Sequence, residues 1–229
     1  MTRPATRRKP IATAIAIVLL SMSAHRAHAT LMTFTSRADF EDALDTIVVD
    51  DYENSAYAFS QDDAPMSAVL GETDYRTTGF DNHNLVPLTG DGHYYCAGCN
   101  GSFELLFTST SVSGLGLGGV FGVGFEYFNA GTPSYVAFIT LGDGATANVP
   151  LSFATFPATS FFGFTASESI ASIAFGLQSG GATRLGSFGI DNLTIGNAAR
   201  VPAPSSLLLL SIGLVGIVAH RVKAGRTER

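Results

Sequence analysis

Phe121-Gly-Val-Gly-Phe-Glu-Tyr127 places Phe121, Val123, Phe125 and Tyr127 at alternate positions, with Gly122, Gly124 and Glu126 between them. Successive side chains of a strand point to opposite faces, so a period of two marks a strand with one buried face. The same alternation precedes it, where Phe103, Leu105 and Phe107 alternate with Ser102, Glu104 and Thr108. Tyr135 to Leu141 is apolar on both faces, as a strand inside a sandwich is, and Gly142-Asp143-Gly144 turns the chain after it. Phe161 to Phe164, Ile170 to Leu177 and Ser187 to Ile195 supply three further strands. In the last of these Ile190 and Leu193 fall on opposite parities, which places a bulge at Asp191-Asn192. Six or more short strands separated by turn signals predict a mainly β fold, an antiparallel β-sandwich.

Working outward, one short helix is expected before the strands. Ser36 followed three residues later by Asp39 forms a capping box, and Phe40 and Leu44 at i, i+4 share one apolar face. Ile47 to Tyr52 then reads as a strand whose end carries Asp50, Asp51 and Glu53. Residues 54–100 are polar and turn-rich, and give few elements. Gly114-Leu-Gly-Leu-Gly-Gly119 matches a dinucleotide fingerprint by letters, but it sits between two strands with no helix to follow.

The two ends of the chain differ from its middle. Arg3, Arg7, Arg8 and Lys9, the apolar Ile11 to Leu20, and Ala27-His28-Ala29 have the layout of a secretory signal peptide over residues 1–29. That layout implies the Sec translocon and signal peptidase as partners, with a mature chain from Thr30. At the other end, residues 200–229 hold Val201-Pro202-Ala203-Pro204-Ser205, the uncharged run Leu207 to Ala219, and a tail with Arg221, Lys223, Arg226 and Arg229. A 13-residue helical run covers roughly 20 Å against a hydrocarbon core of about 30 Å, so it predicts a minimal and transient membrane stop. The basic tail stays cytoplasmic under the positive-inside rule. Between residues 30 and 199 the only cations of Arg or Lys type are Arg37, Arg76 and Arg184, against eighteen carboxylates, a balance of −15. So acidic a surface excludes nucleic acid and anionic lipid as partners of the domain.

The three-part tail resembles the PEP-CTERM sorting signal of Gram-negative bacteria, with Ala203 where that motif usually has Glu. The resemblance implies export from a Gram-negative cell, an inner-membrane intermediate, processing by an exosortase-like membrane enzyme, and delivery to the cell surface or beyond. The opening helix, Asn100-Gly-Ser-Phe-Glu104, Gly119-Val-Phe-Gly-Val-Gly-Phe125 and Gly189-Ile-Asp-Asn-Leu-Thr-Ile-Gly196 resemble a group of PEP-CTERM proteins with a jelly-roll-like domain. On that reading residues 30–199 are one jelly-roll-like sandwich, flanked by the signal peptide and the sorting helix.

Candidate chemistry is sparse. Neither Gly-x-Ser-x-Gly nor His-Glu-x-x-His occurs, and between the two signals only His83 and His93 remain to serve a Ser-His-Asp site. Cys96-Ala-Gly-Cys99 leads into Asn100-Gly101 and a strand rather than a helix, which speaks against redox catalysis. In an oxidising compartment the pair is read as a local disulfide, ahead of a zinc site with His93 and His83. Asp50, Asp51 and Glu53 near the first strand and Asp191 in the last offer the oxygens of a structural calcium site. Glu104 and Glu126 lie opposite the aromatic faces of their strands and would line one outer surface, the arrangement a glycosidase needs. The chain has no Trp, which leaves Tyr57, Tyr94 and Tyr95 as platforms for sugar rings. The favoured function is therefore a non-catalytic envelope or matrix protein whose sandwich binds extracellular polysaccharide or a neighbouring protein. The alternative is a secreted carbohydrate-active hydrolase on the same scaffold.

Overall fold

The structure is a computed structural model that describes residues 30–78, 83–90, 92–99, 102–113, 119–129, 135–154, 158–177 and 188–198. Residues 1–29, expected above to be a signal peptide, the tail from residue 199 and Gly114 to Gly118 lie outside the described residues. Among the described residues fourteen strands and two helices follow in order: β1 (Leu31–Phe34), α1 (Arg37–Asp42), β2 (Leu44–Asp50), β3 (Ser60–Gln61), α2 (Asp63–Ala68), β4 (Asp74–Thr77), β5 (Asn84–Leu85), β6 (Leu88–Thr89), β7 (Gly92–His93), β8 (Cys96–Ala97), β9 (Phe103–Leu106), β10 (Val120–Phe128), β11 (Tyr135–Leu141), β12 (Thr146–Pro150), β13 (Ser160–Leu177) and β14 (Gly189–Ala198).

Nine of these strands form one antiparallel sheet that curls on itself about β13. The first half of β13 runs between β1 and β10, with Phe164 opposite both Thr33 and Val123. Its second half runs between β11 and β9, with Ala174 opposite both Phe138 and Glu104. The exposed Ser167 and Glu168 lie between the two halves. One strand therefore serves two facing layers. Layer I has the order β1–β13–β10–β14–β2, and layer II the order β12–β11–β13–β9–β4. The sequence reads β13 as two strands because Ser167 to Ser169 breaks the apolar alternation.

Between the layers lies an aromatic core. Phe125 of layer I meets Phe175 of layer II edge-on at 5.2 Å between centroids, and Phe103 lies 4.8 Å from Phe175. Phe188 stacks on Tyr135 at 4.7 Å. Phe103, Phe125, Phe164 and Phe188 are fully buried, each side chain contributing about 1.5–3 kcal/mol by leaving water. The predicted alternations hold for Phe103, Leu105 and Phe107 and for Val123, Phe125 and Tyr127, which point inward, but not for Phe121: a register shift between Val120 and Gly122 puts Val120 in the core in its place. The bulge is also present, as a register shift between Gly124 opposite Thr194 and Glu126 opposite Asp191, with Asn192 at φ 50°.

Ser36 caps the helix as read, its Oγ accepting from Asp39 N, but the helix it opens is only six residues long. Leu44 accordingly sits in β2, not in the helix, and β2 begins three residues before the predicted strand. A second helix, α2, was not foreseen. Pro65 lies in its first turn, where a missing N–H costs nothing, and Met66 is its buried anchor. Its polar residues cap the free edge of β4: Ser67 Oγ accepts from Tyr75 N at 2.8 Å, and Asp63 Oδ1 from Thr77 N at 3.1 Å. An edge strand so covered offers no template for foreign pairing.

Candidate functional site

The outer face of layer I is occupied. Phe40 of α1 lies over Gly122, Gly124 and Gly163, where a Cβ would come within 3.3, 2.6 and 2.8 Å of its ring. Leu44 packs beside it, over Gly122 and Gly196. Arg37 fastens the helix down. Its guanidinium sits 5.0 Å from the centre of the Phe161 ring, donates to Thr194 Oγ1 at 2.9 Å and to the Asn192 carbonyl at 3.2 Å, and pairs with Glu41 and Glu126. Glu126 is thus a structural counter-ion to Arg37.

Glu104 lies on the other side of the molecule. It projects from the outer face of layer II and pairs with Arg76 at 3.0 Å. The expectation that Glu104 and Glu126 line one surface is corrected, because they belong to opposite faces of the sandwich. Each strand's aromatic face points to the shared core, so the two strands' polar faces point apart. The two carboxylates cannot flank one glycosidic bond.

The early acids have other partners. Asp50 is buried, and its Oδ2 accepts from Tyr57 OH at 2.5 Å and from Tyr75 OH at 2.8 Å, while Oδ1 accepts from Tyr52 N. Burial pushes the Asp50 carboxyl above its ordinary value, against the pull of those two hydroxyls. Asp51 Oδ1 accepts from Glu53 N, and Glu53 receives His93 N at 2.6 Å and faces His93 Nδ1 at 2.8 Å, which holds the Glu53 carboxyl below its ordinary range. Asp191 Oδ1 accepts from Asn192 N; burial pushes this carboxyl up to about 6, with the charges of Glu126, Glu53 and Asp51 adding to the effect. Among the described residues no group of three or more His, Cys, Asp or Glu, with Asp50, Asp51, Glu53 and Asp191 included, is placed to hold a metal ion.

Cys96 and Cys99 form the expected disulfide. It closes a tight turn in which Gly98 and Cys99 both have positive φ, at the end of β8, which pairs with β5 next to the bridge between Tyr95 and Ile190. With both sulfurs bonded to each other and His93 engaged by Glu53, the zinc alternative is left with His83 alone. Of the tyrosines proposed as sugar platforms, Tyr95 is interior, while Tyr57 and Tyr94 are half-buried and engaged by neighbours. Tyr95 is fully buried and donates to Asn84 Oδ1 at 2.8 Å, Tyr57 donates to Asp50, and Tyr94 meets Phe128 edge-on at 5.0 Å.

What remains is the outer face of layer II. Register aligns Asn148, Phe138, Ala174, Glu104 and Arg76 in one row across all five strands. A neighbouring row runs Thr146, Thr140, Ser172, Leu106 and Asp74. At a strand spacing of about 4.8 Å the face is roughly 19 Å across. Its middle strand shows only Ser172, Ala174 and Gly176, so the centre is low, with half-buried Phe138 on one side and Glu104 and Leu106 on the other. At the β4 side the face opens into a cavity of about 700 Å³ under α2, lined by Asp63, Ser67, Asp74, Arg76, Leu106 and Thr108. Asp74 and Thr108 hydrogen-bond to each other at its wall. Phe138 as an aromatic surface residue was not singled out from the sequence, because Tyr135 to Leu141 reads as apolar on both faces.

No family profile matches the chain, and no curated protein matches it. Among solved structures it is similar to a point mutant of CBM29-2, a family 29 carbohydrate-binding module, at 16% identity and a TM-score of 0.38, over 69% of this chain and 97% of that one. It is also similar to the family 11 carbohydrate-binding module of the cellulosomal cellulase Lic26A-Cel5E of Clostridium thermocellum, at 8% identity and a TM-score of 0.29, over 69% of this chain and 99% of that one.

Proposed function

We propose that the chain is an exported, non-catalytic binding module of the cell envelope or extracellular matrix, whose ligand is a polysaccharide lying across the outer face of layer II. One observation carries this reading: layer I has its outer face filled by Phe40 and Arg37, whereas layer II presents the row Asn148–Phe138–Ala174–Glu104–Arg76 with no described helix over its centre. An aromatic ring beside a low strip of small residues, rimmed by amide, carboxylate and guanidinium groups, offers an apolar ring face a stacking surface and its hydroxyls hydrogen-bonding partners. Hydrolysis is the weaker reading, because Glu104 and Glu126 lie on opposite faces. The fold itself is read as jelly-roll-like.

All described strands and both helices lie between Leu31 and Ala198, so residues 30–199 carry the whole described core and are the fragment to test. In affinity electrophoresis through gels containing soluble polysaccharides, the fragment is retarded by at least one of them without cleaving it. Phe138→Ala removes the retardation. A fragment that passes every gel unretarded, or that shortens the polysaccharide, contradicts the reading.

The two ends deliver this module. Residues 1–29 take it to the Sec translocon and signal peptidase, and the run Leu207 to Ala219 with Arg221, Lys223 and Arg226 holds it in the inner membrane. An exosortase-like enzyme then cuts near Val201–Ser205. The intact mass of the protein from its native host tests this: a species that still contains Arg229 and fractionates with inner membrane contradicts the cut.

A further inference from the structure

We infer that the ligand of the layer II face is a neutral polysaccharide, excluding chains that carry uronate, sulfate or phosphate groups; this rests on the binding reading above. The argument is one of charge. Every described arginine and histidine already faces a carboxylate: Arg37 faces Glu41 and Glu126, Arg76 faces Glu104, His93 faces Glu53, and His83 lies 4.0 Å from Asp62. Arg76 is the one described cation on the face, and Glu104 beside it cancels its charge at 3.0 Å. Asp74 in the next row and Asp63 across the cavity then leave the site net negative. Behind it stands a domain with a balance of −15 between residues 30 and 199.

An anionic glycan would bring a charge with each modified sugar into this field. The Debye length at physiological salt is about 8 Å, and a chain seated on the face would lie well within it. A neutral sugar meets no such penalty. Its hydroxyls both donate and accept, so they satisfy acceptor-only carboxylates such as Asp74 and Glu104 as well as the Asn148 amide. The Arg76 side chain is 57% exposed and carries further N–H donors for sugar oxygens. The carboxylates that repel an anionic chain are thus the same groups that hold a neutral one.

The test compares retardation of the 30–199 fragment by neutral polysaccharides (a mixed-linkage glucan, a mannan and a galactan) and by acidic ones (alginate and polygalacturonate), at low and high salt. The expected result is retardation on a neutral gel, changing by less than about twofold between the two salt conditions because no charge is screened. Retardation on that gel is lost in Phe138→Ala and weakens in Asp74→Asn. Both substitutions are on the outer face, and a thermal melt of each variant confirms that it is folded. Retardation on an acidic gel that weakens with salt and is lost in Arg76→Ala overturns the neutral assignment and leaves the binding reading standing. Passage through all five gels overturns both.

Discussion

On layer I, Gly122, Gly124 and Gly163 lie beneath the ring of Phe40; on layer II, Ser172, Ala174 and Gly176 form the middle strip of a face with no described helix over it. Both strips are made of small residues on central strands, and both leave the backbone close to whatever lies above. The difference is in what the chain supplies to cover them. Ser36 and Asp39 open a helix that sets Phe40 on layer I, and Arg37 ties that helix to three strands. At layer II the nearest helix, α2, is used up in capping the β4 edge and reaches only the border of the face. Small residues under a ring from the same chain are packing. Small residues beside a half-buried ring, with no described helix above them, are read as a seat for something else.

Four substitutions sharpen or break that contrast. The largest effect is expected from Phe40→Ala, which empties the seat on layer I: a fully buried Phe lost from such a site costs about 3–5 kcal/mol, read by urea unfolding. Binding measured on whatever fraction stays folded is unchanged. Gly124→Ala attacks the same seat from below. Its Cβ would fall 2.6 Å from Phe40 and 2.8 Å from Phe161, and overpacking of this kind costs about 1–3 kcal/mol. If Gly124→Ala is neutral, Phe40 is not held as described.

On layer II the same kind of change should leave stability alone. Ala174→Val adds bulk to the middle of the open strip, and it should shift the unfolding free energy by no more than about 0.5 kcal/mol. Polysaccharide affinity should fall about tenfold, equivalent to about 1.4 kcal/mol. A destabilised Ala174→Val protein would mean that the face is covered and is not a binding surface.

The smallest effect belongs to Asp191, at the bulge on the layer I side. Its carboxyl titrates at about 6 in the fold against an ordinary 3.8, because burial and nearby acids oppose the charged form. A raised carboxyl contributes most when protonated. Its contribution is complete below about pH 3.8 and is lost as pH rises through about 6. Asp191→Asn should therefore raise the melting temperature at pH 7 and have little effect below pH 4. After discounting for partial exposure the gain is about 1 kcal/mol, or a few degrees. If Asp191 instead served a calcium ion with Asp50, Asp51 and Glu53, the same substitution would lower the melting temperature in calcium.

The contrast also marks how far the sequence could be read. Strands with a period-two pattern, such as Val123 to Tyr127, were legible because one face is uniformly apolar, whereas the register shift that takes Phe121 out of the core left no mark on the pattern. So were the bulge at Asp191-Asn192 and the Cys96–Cys99 link, each set by neighbouring residues. Residues 54–100 were not, since β3, β5, β6, β7 and β8 have two residues each and no periodicity can show at that length. Glu104 and Glu126 were placed on one face because parity tells which side of a strand a residue takes, and not which layer the strand joins. The rows of layer II were invisible for the same reason: Asn148, Phe138, Ala174, Glu104 and Arg76 come from five strands, and only the register brings them together.

The most direct test is an amide chemical-shift map of the 30–199 fragment titrated with oligosaccharides of whichever neutral polysaccharide retards it. The account predicts perturbations centred on Phe138, Ala174, Glu104, Arg76 and Asn148, with the amides of Gly122, Gly124 and Gly163 unmoved. Perturbations centred on those three glycines, or spread evenly over both faces, would contradict it.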